Sequence, residues 1–233
     1  MIFIIGCCFG SFGYLVATRQ LSGLSLIFPA SHCTTCKSHL HWYELIPVIS
    51  FTLQAGRCRH CQVKLPFGYL VAELTCGLLF VLCLKDTILP TSLLTLFWLY
   101  TAWILSIVDI YSQLLDLGIF FSTTLLLWGF QLHLKTTFHW ETLLYCLVFV
   151  CFFYHYYKNK FGTGDLYLLL AWSPWLSLTQ FCLLLLISSS LGLVSFLIAK
   201  LLQKKLTTLP FIPYLSCGLL VITHCTPPVV SLF

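Results

Sequence analysis

Four cysteines form two closely spaced pairs, Cys33 with Cys36 and Cys58 with Cys61, and 21 residues separate the pairs. The spacing within a pair lets both sulfurs reach one ion from a tight turn. Two such pairs supply the four thiolates of a tetrahedral zinc site, which leaves no position open for a catalytic water. The pattern therefore predicts one structural zinc ion with four cysteine ligands. A redox-active or metal-free loop is the alternative interpretation.

Two aspartates lie at the ends of apolar segments. Asp109 ends one segment, and Asp165 follows the glycine-rich stretch Gly162-Thr163-Gly164 at the start of another. Two carboxyl groups that share a water can act as base and acid, which is the chemistry of aspartic proteases. We expect Gly162 and Gly164 to support Asp165 by allowing backbone conformations that other residues disfavour. A plain loop with an aspartate helix cap is the alternative.

The composition indicates which kind of protein must position these groups. Of the 233 residues, 59% are hydrophobic and 8% are charged, whereas soluble domains carry roughly 25% charged residues. This excludes a disordered chain, a nucleic-acid-binding domain and nearly any water-soluble enzyme. The remaining cysteines lie in apolar runs, where a thiol behaves as a small hydrophobic group.

Apolar segments follow one another along the chain and predict an all-α polytopic membrane protein with about eight transmembrane helices. By residue number the segments are 2–16, 67–84, 89–108, 117–133, 140–154, 166–176, 180–199 and 210–226. The polar segment 18–66, called the cysteine loop below, carries the predicted zinc site. We therefore expect two domains: residues 1–66, with the first helix and this loop, and residues 67–233, with the carboxylates.

The basic residues predict the orientation. If residue 1 lies outside, ten of the twelve lysines and arginines fall on the inner side, and only Lys85 and Lys135 lie outside. The inner ones are Arg19, Lys37, Arg57, Arg59, Lys64, Lys158, Lys160, Lys200, Lys204 and Lys205. The positive-inside rule then predicts that both termini lie outside, with the cysteine loop and both aspartates at the cytoplasmic face.

Further short motifs, each different from the others, follow one another along nearly the whole chain. Those in the first third are Gly10-Ser11-Phe12, Pro29 with Ser31 and the first cysteine pair, Glu44-Leu45-Ile46-Pro47-Val48-Ile49-Ser50, Gly56-Arg57-Cys58-Arg59-His60-Cys61, and Tyr69 with Glu73. The later ones are Asp109, Gly162-Thr163-Gly164-Asp165, and Pro210-Phe211-Ile212-Pro213-Tyr214 with Gly218. Together they resemble the type IV prepilin peptidase family.

The resemblance implies an aspartic endopeptidase of the bacterial inner membrane, with Asp109 and Asp165 as its catalytic pair. Enzymes of this family cut the leader peptide from type IV prepilins and competence pseudopilins at the cytoplasmic face. They commonly then methylate the new N-terminus with S-adenosylmethionine. The implied partners are such substrates in the lipid bilayer. No residues are predicted to bind S-adenosylmethionine, and whether methyl transfer is retained stays open.

Some residues depart from the family pattern. Gly13 and Tyr14 follow the first-span motif, and Leu166 and Tyr167 follow Asp165, where the family usually has other residues. These departures leave methyl transfer and the substrate contacts open. Asp116 replaces a usual proline and is a rival to Asp109, which we favour as the first catalytic carboxylate.

Two functions of other classes compete with the peptidase. An ion-coupled transporter also needs acids within membrane helices, although nearer the middle of the bilayer. A non-enzymatic assembly scaffold would use the zinc loop to dock partners. Replacing Asp165 by asparagine would leave a scaffold working and stop a protease.

Overall fold

The computed structural model describes residues 1–21, 23, 25, 31–85, 89–156, 162–203 and 209–225. Within these ranges the regular elements are helices, together with two isolated backbone bridges in the cysteine loop. The predicted all-α class is therefore confirmed. Pro29 and four of the basic residues behind the orientation, Lys158, Lys160, Lys204 and Lys205, lie outside the described residues.

Each predicted apolar segment overlaps one helix. The α-helices are α1 (Ile2–Leu21), α2 (Ile49–Leu53), α3 (Gly68–Leu84), α4 (Pro90–Ser112), α5 (Leu117–His133), α6 (Trp140–Tyr156), α7 (Thr163–Trp172), α8 (Leu178–Leu201) and α9 (Ile212–Cys225). Two 3₁₀ turns cover Trp42–Leu45 and Ser173–Trp175. The sixth segment, predicted as 166–176, is α7 followed by the second turn. Pro174 lies in that turn because it cannot donate the hydrogen bond that would continue an α-helix.

The lengths of the helices agree with a membrane protein. Among the described residues, three helices are long and apolar enough to cross a bilayer: Ile2–Gln20, Pro90–Ser112 and Leu178–Leu201. Four others, α3, α5, α6 and α9, are apolar but shorter. The class of membrane protein is thus supported by the structure, and the number of eight spans stays a prediction.

Contacts divide the chain into two compact units, residues 1–96 and residues 97–233, and the division falls inside α4. The boundary predicted between residues 66 and 67 separates the chain by expected function and stays a prediction. The cysteine loop lies in the first unit. Both Asp109 and Asp165 lie in the second unit.

In the first unit, α1 and α3 pack with their backbones in contact. A Cβ atom at Gly6 would lie 2.8 Å from the Gly77 Cα, and one at Gly10 would lie 2.7 Å from the Ala72 carbonyl oxygen. Small residues permit this close approach between helices in a bilayer. The pair of helices thereby forms a rigid base for the cysteine loop that connects them.

In the second unit, hydrogen bonds between serines join α4, which carries Asp109, to α9. The Ser216 hydroxyl of α9 lies 2.6 Å from the Ser106 hydroxyl of α4 and 3.0 Å from the Ala102 carbonyl oxygen. Polar contacts of this kind fix the register of neighbouring helices in an apolar environment. The last turn of α4 is consequently held against the first turn of α9.

Candidate functional site

The two cysteine pairs occupy turns with the same backbone hydrogen bonds. These bonds measure 2.9 to 3.0 Å and join, donor first, Cys33 to Ser38, Lys37 to Cys33, Cys58 to Val63 and Gln62 to Cys58. Lys37 and Gln62, which each follow the second cysteine of a pair, have φ angles of 59° and 56°. This left-handed conformation favours glycine, so both turns carry backbone strain. The cysteine loop therefore contains two copies of one turn, each carrying two of the predicted metal ligands.

The four cysteine sulfurs form one cluster. They all lie within 4.8 Å of one another, and the shortest distances cross between the turns: 3.8 Å from Cys33 to Cys61 and 4.0 Å from Cys36 to Cys58. Sulfurs around a tetrahedral zinc ion with bonds of about 2.3 Å are separated by about 3.8 Å. The structure brings the predicted ligands together, and the cluster could hold a metal ion.

Hydrogen bonds favour the thiolate form of two of these cysteines. The Ser38 hydroxyl lies 2.9 Å from the Cys36 sulfur, and Ser38 lowers the pKa of Cys36 to about 6. The backbone N–H groups of Cys61 and His60 lower the pKa of Cys58. Metal ions bind the thiolate rather than the thiol. Both turns thus contribute a cysteine that is prepared for a metal ion.

A strained turn in the middle of the cysteine loop is hydrogen-bonded to α3. Val48 has φ 64° and ψ −51°, and the Ile49 N–H donates to the Pro47 carbonyl oxygen at 2.6 Å. This is the rare, strained form of γ-turn, here on a β-branched residue. The Val48 N–H donates to Oε2 of the buried Glu73 at 2.7 Å, and the Ser11 side chain also bonds this carboxyl group. Glu73 therefore holds the loop motif against α1 and α3.

Asp109 is buried in the last turn of α4, with 7% of its surface exposed. Its Oδ2 accepts a hydrogen bond from the Ile212 N–H at 3.1 Å, and the Phe211 N–H also bonds the carboxyl group. Backbone N–H groups at the start of a helix have no partner within that helix. Asp109 thus caps α9 from another helix. These backbone partners have no side-chain signature in the sequence, and the available signal is Pro210 and Pro213, which indicate a helix start there.

Asp165 is half-buried in the first turn of α7. Asp109 lies in the same compact unit, and its negative charge acts on Asp165. The pairing of the two aspartates in one catalytic site stays a prediction. Asp109 lies in the last turn of α4 and Asp165 in the first turn of α7.

The glycines beside Asp165 provide space. A Cβ atom at Gly162 would lie 2.9 Å from the Asp165 Oδ2, and one at Gly164 would lie 2.7 Å from the Leu115 Cβ. Gly162 has φ −64°, and Gly164 lies within α7 outside the positive-φ residues. The expectation that these glycines supply unusual backbone conformations is therefore wrong. They leave room for the carboxylate and for the segment before α5.

Asp116, the rival of Asp109, occupies the N-cap of α5. Its Oδ1 accepts a hydrogen bond from the Ile119 N–H at 2.9 Å. Aspartate is among the preferred residues at this position because its carboxylate satisfies an otherwise unpaired N–H. This contact gives Asp116 a structural role that explains its presence without catalysis.

Comparisons with known proteins agree with this picture. Residues 4–87 match the family model of the bacterial peptidase A24 N-terminal domain. The type 4 prepilin-like proteins leader peptide-processing enzyme of Escherichia coli is 30% identical over 212 residues, which cover 84% of this chain and 76% of that protein. A prepilin leader peptidase/N-methyltransferase of Pseudomonas putida is 30% identical over 207 residues, which cover 82% of this chain and 70% of that protein.

Some other similarities cover a smaller part of the chain. The prepilin leader peptidase/N-methyltransferase of Myxococcus xanthus is 40% identical over 84 residues, which cover 36% of this chain and only 25% of that protein. No solved structure matches the chain significantly. Because the Escherichia coli and Pseudomonas putida proteins align over most of both chains, the protein belongs to the prepilin leader peptidase/N-methyltransferase family.

Proposed function

We propose that this protein is a membrane aspartic endopeptidase that removes the leader peptide from type IV prepilins or competence pseudopilins. The observation that carries the proposal is the pair of carboxyl groups, Asp109 and Asp165, close enough for their charges to interact. The names of the relatives supply the substrate class.

In this mechanism a water lies between the two carboxyl groups. The ionised carboxylate takes a proton from the water as its oxygen attacks the scissile carbonyl carbon, and the protonated partner gives a proton to the carbonyl oxygen. The tetrahedral intermediate then breaks its C–N bond, the amine leaves with the proton held by the first carboxyl group, and one hydroxyl of the intermediate returns its proton to the partner carboxylate as the new carboxyl group forms. The Ile212 N–H orients Asp109 for this exchange.

We infer that the site faces the cytoplasm of a bacterium, at the inner membrane, with both termini outside. The support is the distribution of basic residues, most of which fall on one side. A substrate with its apolar helix in the bilayer would then present the bond after its basic leader to Asp109 and Asp165 at the membrane surface.

We also propose that the cysteine cluster binds one structural zinc ion. Four thiolate ligands close the tetrahedral coordination, so the metal would stabilise the loop and take no part in peptide cleavage. Within a loop of this size, metal binding supplies much of the folding free energy.

Methyl transfer with S-adenosylmethionine is supported by the double names of the relatives. The donor set of the pocket in the cysteine loop does not fit this cofactor. Arg57 and Arg59 line it and no acidic side chain does, so two positive charges and no carboxylate would face the positively charged sulfonium of the cofactor. We therefore assign no residues and no reaction step to it.

The test is cleavage of a purified prepilin by the full-length protein in detergent micelles. Asp109→Asn and Asp165→Asn should each abolish cleavage while metal content and thermal unfolding stay normal. Asp116→Asn is the matched control, since asparagine also caps helices. Cleavage by the Asp165→Asn protein at the rate of the unchanged protein would reject the proposal and favour a scaffold.

A further inference from the structure

The cysteine loop contains a pocket of about 430 Å³ with two guanidinium groups in its wall. Arg57 and Arg59 line it together with Tyr43, Leu53, Gln54 and Gln62. The lining offers several N–H donors and no carboxylate. Such a pocket is complementary to a small anion, because guanidinium groups bind the oxygens of phosphates and carboxylates through paired hydrogen bonds.

The two arginines are held in place without being neutralised. The Arg59 guanidinium donates to the Tyr43 hydroxyl at 3.1 Å and lies over the Tyr43 ring, 5.5 Å from its centre. The backbone of Arg57 is fixed by its bridge to Lys64. Among the residues that the structure describes, no carboxylate pairs with either arginine. Even the buried Glu44 of the same loop accepts instead from a backbone N–H.

Large apolar side chains surround this cationic pocket. Leu53, in the pocket wall, is 82% exposed, and Trp42 is 78% exposed. The ring centres of Trp42 and Tyr43 are 5.8 Å apart, so the exposed tryptophan lies next to a residue of the pocket wall. Tryptophan and tyrosine beside basic residues are typical of the interface between water and lipid. The loop also begins and ends at the apolar helices α1 and α3.

From these observations we propose that the pocket binds the phosphate group of an anionic phospholipid. Arg57 and Arg59 bind the phosphate oxygens, and Trp42 and Leu53 contact the acyl chains. Charge complementarity excludes the basic leader of a substrate, which two unpaired guanidinium groups would repel. A free phosphate ion would satisfy the arginines but would leave Trp42 and Leu53 exposed to water. The site is independent of the proposed peptidase activity.

Native mass spectrometry of the full-length protein in detergent tests the proposal, with dioleoyl phosphatidylglycerol as the probe and dioleoyl phosphatidylcholine as the neutral comparison. The double variant Arg57→Gln/Arg59→Gln should bind phosphatidylglycerol about 10-fold or more weakly, because two charge-assisted contacts are lost. The matched control Lys37→Gln/Lys64→Gln removes two charges from the same loop outside the pocket. It should keep its affinity within about 2-fold. Metal content verifies that both variants keep the fold of the loop.

The outcomes decide between the possible occupants. Equal losses in the pocket variant and the lysine control would overturn the proposal, since the effect would then be general surface charge. Phosphatidylcholine binding as tightly as phosphatidylglycerol would overturn it as well. Displacement of the lipid by millimolar inorganic phosphate would assign the pocket to a free anion. Retention of phosphatidylglycerol under these conditions, together with its loss in the pocket variant, supports a phospholipid site.

Discussion

The Ile212 N–H donates to the Asp109 Oδ2 at 3.1 Å and ties the last turn of α4 to the first turn of α9. The charge of the same carboxyl group acts on Asp165. A proposed catalytic group is therefore oriented by the backbone of a helix that carries neither aspartate. Asp116 has its own backbone partner and caps α5.

This difference between Asp109 and Asp116 predicts different effects of substitution. Asp109→Asn should lower the cleavage rate by about 10²- to 10⁴-fold, the usual contribution of a positioned acid or base. Asp116→Ala should instead lower the free energy of unfolding by about 1 kcal/mol through loss of the cap. Steady-state cleavage and thermal unfolding separate the two. An Asp116→Ala protein that is stable but inactive would make Asp116 the catalytic residue.

Gly162→Ala should impair cleavage without unfolding the protein, because the added Cβ displaces the Asp165 Oδ2 that lies 2.9 Å away. The expected change is a lower kcat with little change in KM. Gly129→Ala in α5 is the control, since its Cβ would meet nothing within 4 Å. That substitution should be neutral or stabilise by up to about 1 kcal/mol. Equal activity of the two variants would refute the role given to Gly162.

Gly164→Ala should act on stability as well. Its Cβ would lie 2.7 Å from the Leu115 Cβ, close to the backbone, where a flexible side chain cannot give way. Overpacking of this kind costs about 1–3 kcal/mol. We expect Gly164→Ala to lower the thermal unfolding temperature more than Gly162→Ala does. An unchanged unfolding temperature would contradict the contact.

The metal prediction concerns the whole cluster. Purified protein should contain one zinc ion per chain by elemental analysis, and Cys58→Ser should reduce this content and expose the cysteine loop to proteolysis. Brief treatment with a chelator should leave cleavage intact, because in the proposed mechanism carboxylates activate the water and the metal only stabilises the loop. If the chelator inhibited cleavage at once while the protein stayed folded, the metal would have a part in the chemistry.

The strained turns predict two stabilising substitutions. Lys37→Gly and Gln62→Gly should each raise the stability of the metal-bound loop by about 1 kcal/mol, since glycine adopts positive φ without a steric penalty. Lys64→Gly serves as the control, because Lys64 is outside the positive-φ residues and glycine there only adds disorder to the unfolded chain. Proteolysis rates of the loop measure the effect, and destabilisation by Lys37→Gly would contradict it.

Substitutions of Glu73 can separate the effect of its charge on stability from the effect of its hydrogen bond. Glu73→Gln keeps an acceptor for the Val48 N–H and should preserve the fold, whereas Glu73→Leu leaves that part-buried N–H without this acceptor. The expected loss for leucine is about 1–3 kcal/mol in the free energy of unfolding. Similar thermal unfolding of the glutamine and leucine variants would show that the hydrogen bond is unimportant.

Sequence reasoning predicted much of this molecule because its strongest signals are local. Apolar runs predicted the helices, and α5 has the predicted bounds of 117–133. The first segment extends to Leu21 rather than Val16, because Thr18 and Arg19 continue the helix although they are polar. Such polar ends are invisible to a search for apolar runs. The cysteine spacing predicted the cluster because each pair forms its turn from adjacent residues.

Contacts with backbone groups that lie far away in the sequence could not be predicted from local patterns. The N–H groups of Ile212 and Phe211 carry no side-chain signature, so nothing in the sequence linked them to Asp109. The γ-turn at Val48 contradicts the preference of a β-branched residue, and only the buried Glu73 carboxylate accounts for it. The spatial role of Gly162 likewise depends on where the Asp165 carboxylate lies.

The bond between Asp109 and Ile212 has a consequence for biosynthesis. A ribosome completes α4 long before it reaches α9, so the nascent chain carries Asp109 without its backbone donor while α5 to α8 are made. The aspartate pair can adopt its native orientation only after the start of α9 has been translated and inserted. A partly synthesised chain in the membrane would therefore be inert towards neighbouring proteins, and competence for cleavage would arise only with the last described helix.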